Sequence, residues 1–344
     1  MPVRYWILVR GGSLSGILRL RERLFYYFDR DYADLLGTRL MVKEGEITDA
    51  GSLKRLDGQE IDTVFNCAAS VKHFSAGSDI FDTNVLGVQN VLEYAKRNGA
   101  GLIQISTTST GGEILLGGQH EHFVYDEQTL FKGQALDNQY LSSKFLAERL
   151  VLAAAAEGQD AKIIRVGNLM ARDADGIFQI NFRTNGFINR LKAYVTLKAM
   201  PFGKMLQKLE MSPIDLTARA IVKLAQTPMA CCLFNCYNCH TINYGDILKA
   251  ANENAIEIRP EIQETFDRLL DEAKHDSEKQ QGIGGLISMV GMGASSQREL
   301  TPVFNDYTTA VLFNEGLYWP VITTEYLKVF FDYLTNLAFW EDKR

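Results

Sequence analysis

Tyr140 and Lys144 stand four residues apart in Tyr140-Leu-Ser-Ser-Lys144. On a helix, residues i and i+4 share a face, so the phenol and the ammonium would point the same way. A nearby cation favours phenolate, and the positive end of a helix adds to this. Tyr140 falls in the first turn after a predicted cap at Asp137 or Asn138. Both effects are expected to draw a phenol down from about 10 towards working pH, which suits a general acid. The spacing alone is weak. With 14 tyrosines and lysine at roughly one residue in twenty, about 0.7 matches arise by chance. Tyr194 and Lys198 form a second match. For the bare spacing, a solvated helix face is the plain alternative.

What precedes the pair changes its meaning. Leu102–Ser106 reads as a strand that ends in Ser106-Thr107-Thr108-Ser109-Thr110. A hydroxyl at the carboxyl end of a central parallel strand sits where open α/β sheets bind ligands. Followed by a helix bearing Tyr140 and Lys144, Thr107 completes a hydroxyl–phenol–ammonium triad. No such strand precedes Tyr194/Lys198, so that pair reads as structural. Val9-Arg10-Gly11-Gly12 follows another strand. An arginine there can clamp the 2′-phosphate of NADP, where an acid would select NAD, and Arg19 two helical turns on can help. An ordinary surface arginine is the alternative. In Asn66-Cys67-Ala68-Ala69 the small Ala68 and Ala69 let backbone approach a cofactor closely, or simply pack.

These residues need a scaffold, and the first half of the chain supplies its pattern. Predicted strands at Tyr5–Val9, Arg39–Lys43, Val64–Cys67, Leu102–Ser106 and Lys162–Val166 alternate with predicted helices at Leu18–Phe28, Ile80–Lys96 and Gln139–Glu157. Thr48-Asp49 opens a further short helix, and Asn98-Gly99 and Gly158 are stop signals. Interleaving of this kind argues for an α/β fold with a parallel sheet covered on both faces. After about residue 171 strand signals thin out. Ser212–Gln226, a proline-started helix, and Leu233–Tyr237, a strand, still look like core. The predicted division is 1–170, with contributions from about 211–242, for the nucleotide domain, and 171–210 with 243–344 for a smaller, mostly helical lobe. Gly282–Gly293 reads as a lid or a helix-packing segment.

Composition narrows the classes. The 344 residues are 46% hydrophobic and 23% charged, as in a globular protein. Lys+Arg 36 against Asp+Glu 42 gives −6, a poor prior for nucleic-acid binding. No apolar run reaches the roughly 18 residues of a membrane span, and no signal peptide is visible, so the expected compartment is the cytoplasm. Four of the five cysteines crowd into Cys231–Cys239, which is no disulfide framework. Cys232, Cys236, Cys239 and His240 can be written as zinc ligands, and Cys236-Tyr237-Asn238-Cys239-His240 as a haem attachment pattern. A strand scatters its side chains to two faces, so the structural reading is preferred and no metal is assigned. His73 lies near the expected site mouth; His120, His122 and His275 show no partner pattern.

Together the pieces resemble the extended short-chain dehydrogenase/reductase family. More narrowly, they are similar to the terminal thioester reductase domains of nonribosomal peptide synthetases, relatives of carboxylic acid reductases and aminoadipate reductases. The matching stretches are Ile7–Arg10, Gly45–Asp49, Asn66–Ala69, Asn84–Gly87, Ile105–Thr107, Tyr140/Lys144 and Ile164–Asn168; Arg172–Asn181 and Ser212–Asp215 point to the reductase branch. The resemblance implies a Rossmann-like, doubly wound sheet and NADPH as cofactor. It implies a carrier protein whose phosphopantetheine arm bears an acyl or peptidyl thioester, released as an aldehyde and on to an alcohol with a second hydride. Thr107, Tyr140 and Lys144 would be catalytic; Arg10, Arg19, Ala68, Ala69, Tyr140 and Lys144 would hold the cofactor. One departure stands out. The family opens with a strand and a turn G-x-x-G-x-x-G that cradles pyrophosphate. Here the chain starts at what matches the second strand, and about one βα unit, ~30 residues, is expected to be missing. Gly11-Gly12-Ser13 and Gly284-Gly285 are not expected to replace it. The alternatives are a nucleotide-sugar epimerase or dehydratase of the same superfamily, or a non-catalytic remnant or scaffold.

Overall fold

The computed structural model describes residues 3–11, 15–72, 75–115, 124–228, 231–291 and 298–340. They form two compact units. The first comprises Met1–Val166, Ile221–Cys236 and Glu299–Thr308; the second comprises Gly167–Ala220, Tyr237–Arg298 and Thr309–Arg344.

The first unit is the α/β half. The strands that form its parallel sheets are β1 (Tyr5–Val9), β2 (Leu40–Glu44), β3 (Thr63–Asn66), β4 (Gly101–Thr107), β5 (Ala161–Val166) and β6 (Leu233–Cys236). All of their pairings are parallel. β4 is central, with β3 on one side and β5 then β6 on the other. Leu102, Ile103, Ile163 and Ile164 are buried to 2% exposure or less, as a strand covered on both faces requires. Each such side chain contributes about 1.5–3 kcal/mol of burial.

The helices follow the sequence pattern. α1 (Gly16–Phe28) connects β1 to β2, and α2 (Ala50–Lys54) is capped by Asp49, whose carboxylate accepts from the Gly51 and Ser52 amides. α3 (Gly87–Asn98) stops at Gly99, which takes φ +67, a left-handed conformation that glycine adopts without a Cβ penalty. α4 (Gln139–Ala156) starts at Asn138, whose side chain accepts from the Leu141 amide at 2.8 Å. Leu53, Val88, Leu92, Tyr94, Leu102 and Val151 build the core, with Trp6, Leu8 and Val64 packed against it.

Three features of this unit depart from the expectation. The single helix read over 80–96 is broken: Asp82–Leu86 is a π-helical turn between the short turn Asp79–Phe81 and α3. The sheet is also divided. β1 pairs with β2 alone and β3 with β4 alone, and among the described residues no strand joins the β1–β2 pair to the four-stranded sheet. Gly11 does lie between a strand and a helix, β1 and α1. It takes no positive φ there and a Cβ would meet nothing within 4 Å, so neither constraint calls for glycine.

The second unit is mainly helical: α5 (Gly186–Leu197), α6 (Ile214–Ala225, begun in this unit), α7 (Tyr244–Glu253), α8 (Gln263–Lys274), α9 (Gly284–Gly291), α10 (Asp306–Asn314, which spans the boundary) and α11 (Thr324–Asn336). Short strand pairs that the sequence did not signal tie it together, such as Lys208–Glu210 with Thr241–Asn243. Its core gathers Phe178, Phe182, Ile188, Tyr194, Phe266, Leu327, Phe330 and Phe331. Tyr194 is thus a core residue, and Lys198 pairs with Glu257, so the second Tyr/Lys match is structural. α9 packs on α5: a Cβ on Gly285 would come within 2.5 Å of the Asn189 backbone. Met292 and Gly293 of the glycine-rich segment, like Gly12, Ser13, His73, His120 and His122, lie outside the described residues.

Candidate active site

Thr107 is the last residue of β4 and is buried. Its hydroxyl accepts from the Ser109 amide at 3.1 Å, which fixes the turn beyond the strand. The same side chain hydrogen-bonds the Tyr140 phenol. Tyr140 stands in the first turn of α4, and Lys144 one turn further on the same face. The Lys144 Nζ donates to the Ile105 carbonyl at 2.9 Å, so the ammonium is tied to the strand that presents Thr107. Strand end, phenol and ammonium therefore meet at the carboxyl edge of the sheet.

The electrostatics differ from the expectation on one point. The Tyr140 phenol is pushed up from its ordinary range, because burial disfavours phenolate more than the Thr107 hydrogen bond favours it. Lys144 is itself pushed down to about 8 by burial, against the pull of the Glu148 carboxylate and the Cys67 thiol. The sequence reading counted the cation and the helix end and could not count the loss of water.

A residue quoted only as part of a motif proves central to the geometry. Asn84 sits in the π-helical turn and is buried. Its Oδ1 accepts from the Ser70 amide at 2.8 Å, and its Nδ2 donates to the Ser70 carbonyl and to Ser143 Oγ, each at 2.9 Å. Ser143 in turn donates to the Tyr140 carbonyl at 2.9 Å. Asn84 thus ties the loop after Ala68 and Ala69 to the helix bearing Tyr140 and Lys144. A π turn carries one extra residue per turn, which re-aims a side chain, and such turns are frequent at functional sites. No sequence periodicity marks it.

The remaining candidates line the connections. Ala68 and Ala69 leave β3, with the Ala68 amide held by Asn66 Oδ1 at 3.2 Å. Arg10 leaves β1, and its Nε donates to both carboxylate oxygens of Glu46, at 2.8 and 3.1 Å, on the protein surface. Glu46, which follows β2, thus holds the guanidinium at the position where the sequence places an arginine rather than an acid. Arg19 in α1 carries a buried Nε with no acceptor among the described residues. An anion would satisfy that donor, so Arg19 with Arg10 fits a nucleotide phosphate. The start of α1 fits one less well. Its first amide, at Gly16, is taken by the Glu44 carboxylate, and Ser15 accepts from the Leu18 amide.

A parallel α/β sheet with Thr, Tyr and Lys at its carboxyl edge is a Rossmann-like architecture, in which dinucleotides bind at that edge. Residues 5–221 match the NAD-binding family described as Male sterility protein, and the chain belongs to that family. It is 38% identical to a thiolation-reductase di-domain from an archaeal nonribosomal peptide synthetase, covering 98% of this chain and 71% of that one, with a TM-score of 0.86. The terminal R domain of the myxalamid PKS-NRPS pathway shares the fold at 21% identity and a TM-score of 0.80, over 98% of this chain and 85% of that one. A linear gramicidin synthase polypeptide of Brevibacillus parabrevis is 23% identical over 348 residues, 96% of this chain but 6% of the synthase polypeptide. The chain is thus a homologue of synthetase terminal reductase domains and spans a small fraction of the curated relatives it matches. Among the described residues no helix is long and apolar enough to cross a membrane.

Proposed function

We propose that this chain is an NADPH-dependent thioester reductase that releases an acyl or peptidyl group from a carrier protein as an aldehyde. The observation that carries the reading is the Thr107–Tyr140 hydrogen bond with Lys144 one turn on, at the end of β4, in a homologue of synthetase reductase domains. Residues 1–170, with contributions from about 211–242, are assigned to the cofactor, and 171–210 with 243–344 to the substrate. The site of action is the cytoplasm.

Arg10 and Arg19 would hold the adenosine 2′-phosphate, and Ala68, Ala69, Tyr140 and Lys144 the nicotinamide end. When bound, NADPH supplies the hydride for the thioester carbonyl carbon. Thr107 donates to the oxygen on which charge develops, and Tyr140 gives it a proton. A phenol raised above its usual range keeps that proton until the oxygen turns basic, which favours the acid role over a standing phenolate. Lys144 binds the ribose hydroxyls and stabilises the phenol as it loses its proton. The hemithioacetal then collapses to the aldehyde and the free phosphopantetheine thiol; a second round yields the alcohol.

The test is the chain incubated with an acyl-loaded carrier protein and millimolar NADPH. Aldehyde and free thiol in equal amounts support the reading; carboxylic acid, or no product, opposes it. A second reading, a fold retained without dinucleotide affinity, is favoured by the divided sheet and the occupied start of α1. It predicts no NADPH binding at any concentration tested.

A further inference from the structure

Glu148 lies one turn beyond Lys144, so Tyr140, Lys144 and Glu148 form a single stripe along α4. Its side chain has no exposure at all. Arg165 of β5, equally buried, donates to it twice, Nε to Oε1 at 3.0 Å and Nη2 to Oε2 at 2.7 Å. Ser106 Oγ donates to the same carboxylate at 2.6 Å. Ser106 is the residue before Thr107. On its other side, Thr110 Oγ1 donates to the Thr107 carbonyl at 2.9 Å, lies 3.4 Å from Glu148, and accepts from the Tyr125 hydroxyl at 3.1 Å. The Arg165 guanidinium packs over the Tyr125 ring at 4.3 Å and also donates to the Thr129 carbonyl at 3.1 Å.

We propose that Glu148 is a positioning residue for this site: anchored by Arg165, its carboxylate sets the Thr107 turn through Ser106 and stands one helical turn beyond Lys144 on the same stripe. The inference rests on the roles given above to Thr107, Tyr140 and Lys144. A lysine this deeply buried loses its proton readily unless an anion stands near. The charged and titratable groups that act on Lys144 are the Glu148 carboxylate and the Cys67 thiol, one residue beyond β3, with Arg165, Tyr125 and Glu127 around Glu148. Glu148 is the carboxylate that raises Lys144 directly. Stability alone does not explain the pair, because well-packed apolar residues commonly replace a buried ion pair without loss. Its place on the Tyr140/Lys144 stripe does.

The experiment is competitive acetylation of the full chain across pH, with the Lys144 peptide read by mass spectrometry. It needs no turnover, so it separates this inference from the reductase reading. Wild-type Lys144 should titrate below an ordinary lysine. Glu148→Gln should lower it by a further pH unit or about that, and Glu148→Asp should restore part of the shift. The double variant Glu148→Gln/Arg165→Met leaves no unpaired guanidinium and should show the same lowering. An unchanged Lys144 titration in folded variants overturns the proposal, as does an ordinary lysine titration in the wild type. If neither variant folds, the pair is structural and the proposal falls. A Glu148-dependent Lys144 in a chain that reduces no thioester would retain this inference and sink the functional one.

Discussion

The Thr107 hydroxyl and the Tyr140 phenol share a hydrogen bond in a setting that raises the phenol above its ordinary range. On the proposed reading the pair acts as donor and acid, which a phenol raised above its ordinary range suits better than a standing phenolate does. Tyr140→Phe removes the transferable proton and leaves the ring, so turnover should fall about 10²-fold or more. Thr107→Val should lower turnover by a comparable factor, with a thermal midpoint close to wild type in the Tyr140 variant. Full turnover in Tyr140→Phe would contradict the assignment.

Lys144 gives a pH dependence with opposite signs for activity and stability. It is pushed down to about 8, against an unfolded value near 10.4. Activity that needs the ammonium should fall as pH rises through about 8. Between about 8 and 10.4 the unfolded chain binds the extra proton, so this group makes the fold more stable as pH rises through that window. Lys144→Met should abolish both the basic limb of kcat/KM and this alkaline gain in thermal midpoint, and should also weaken NADPH binding.

On the proposed reading, cofactor choice turns on Arg10 and on the Glu46 carboxylate that holds it. Arg10→Ala should weaken NADPH about tenfold, ~1.4 kcal/mol, and leave NADH unchanged. Glu46→Gln frees the guanidinium and should tighten NADPH while leaving NADH unchanged. Because the pair is exposed, neither change should move stability by more than about 0.5 kcal/mol. Equal effects on the two cofactors, read by calorimetry, would remove Arg10 from the phosphate site.

How tightly the 344-residue chain binds NADPH is a prediction of the divided sheet. β1 and β3 each carry one edge without a partner strand among the described residues, and the first amide of α1 is engaged by Glu44. A helix start so occupied offers little to a pyrophosphate. Isothermal titration should give binding weaker than micromolar. Micromolar binding would show that the β1–α1 connection does more for the phosphates than its hydrogen bonds indicate.

Much of this architecture was legible in local pattern. Tyr5–Val9, the Asn138 cap, the Gly99 stop and the Tyr140/Lys144 face each rest on a few neighbouring residues, and the structure has them where the sequence put them. What escaped is tertiary. Glu148 reads as one more charge on a helix, because Arg165 lies 17 residues on, in the next strand. Asn84 gains its reach from a π turn that no periodicity announces. Glu46 meets Arg10 across 36 residues. The phenol's direction of shift depends on burial, which only the packed fold supplies.

The most direct test of the central claim uses NADPH deuterated at the transferable C4 position and a carrier protein loaded with an acyl thioester. Single-turnover mixing with the wild-type chain at millimolar cofactor, read by mass spectrometry, should give an aldehyde carrying one deuterium at the former carbonyl carbon. An equal amount of free phosphopantetheine thiol should appear, and Tyr140→Phe should produce neither on the same timescale. Unlabelled aldehyde, hydrolysis to the acid, or no product under conditions where calorimetry shows NADPH bound would contradict the account.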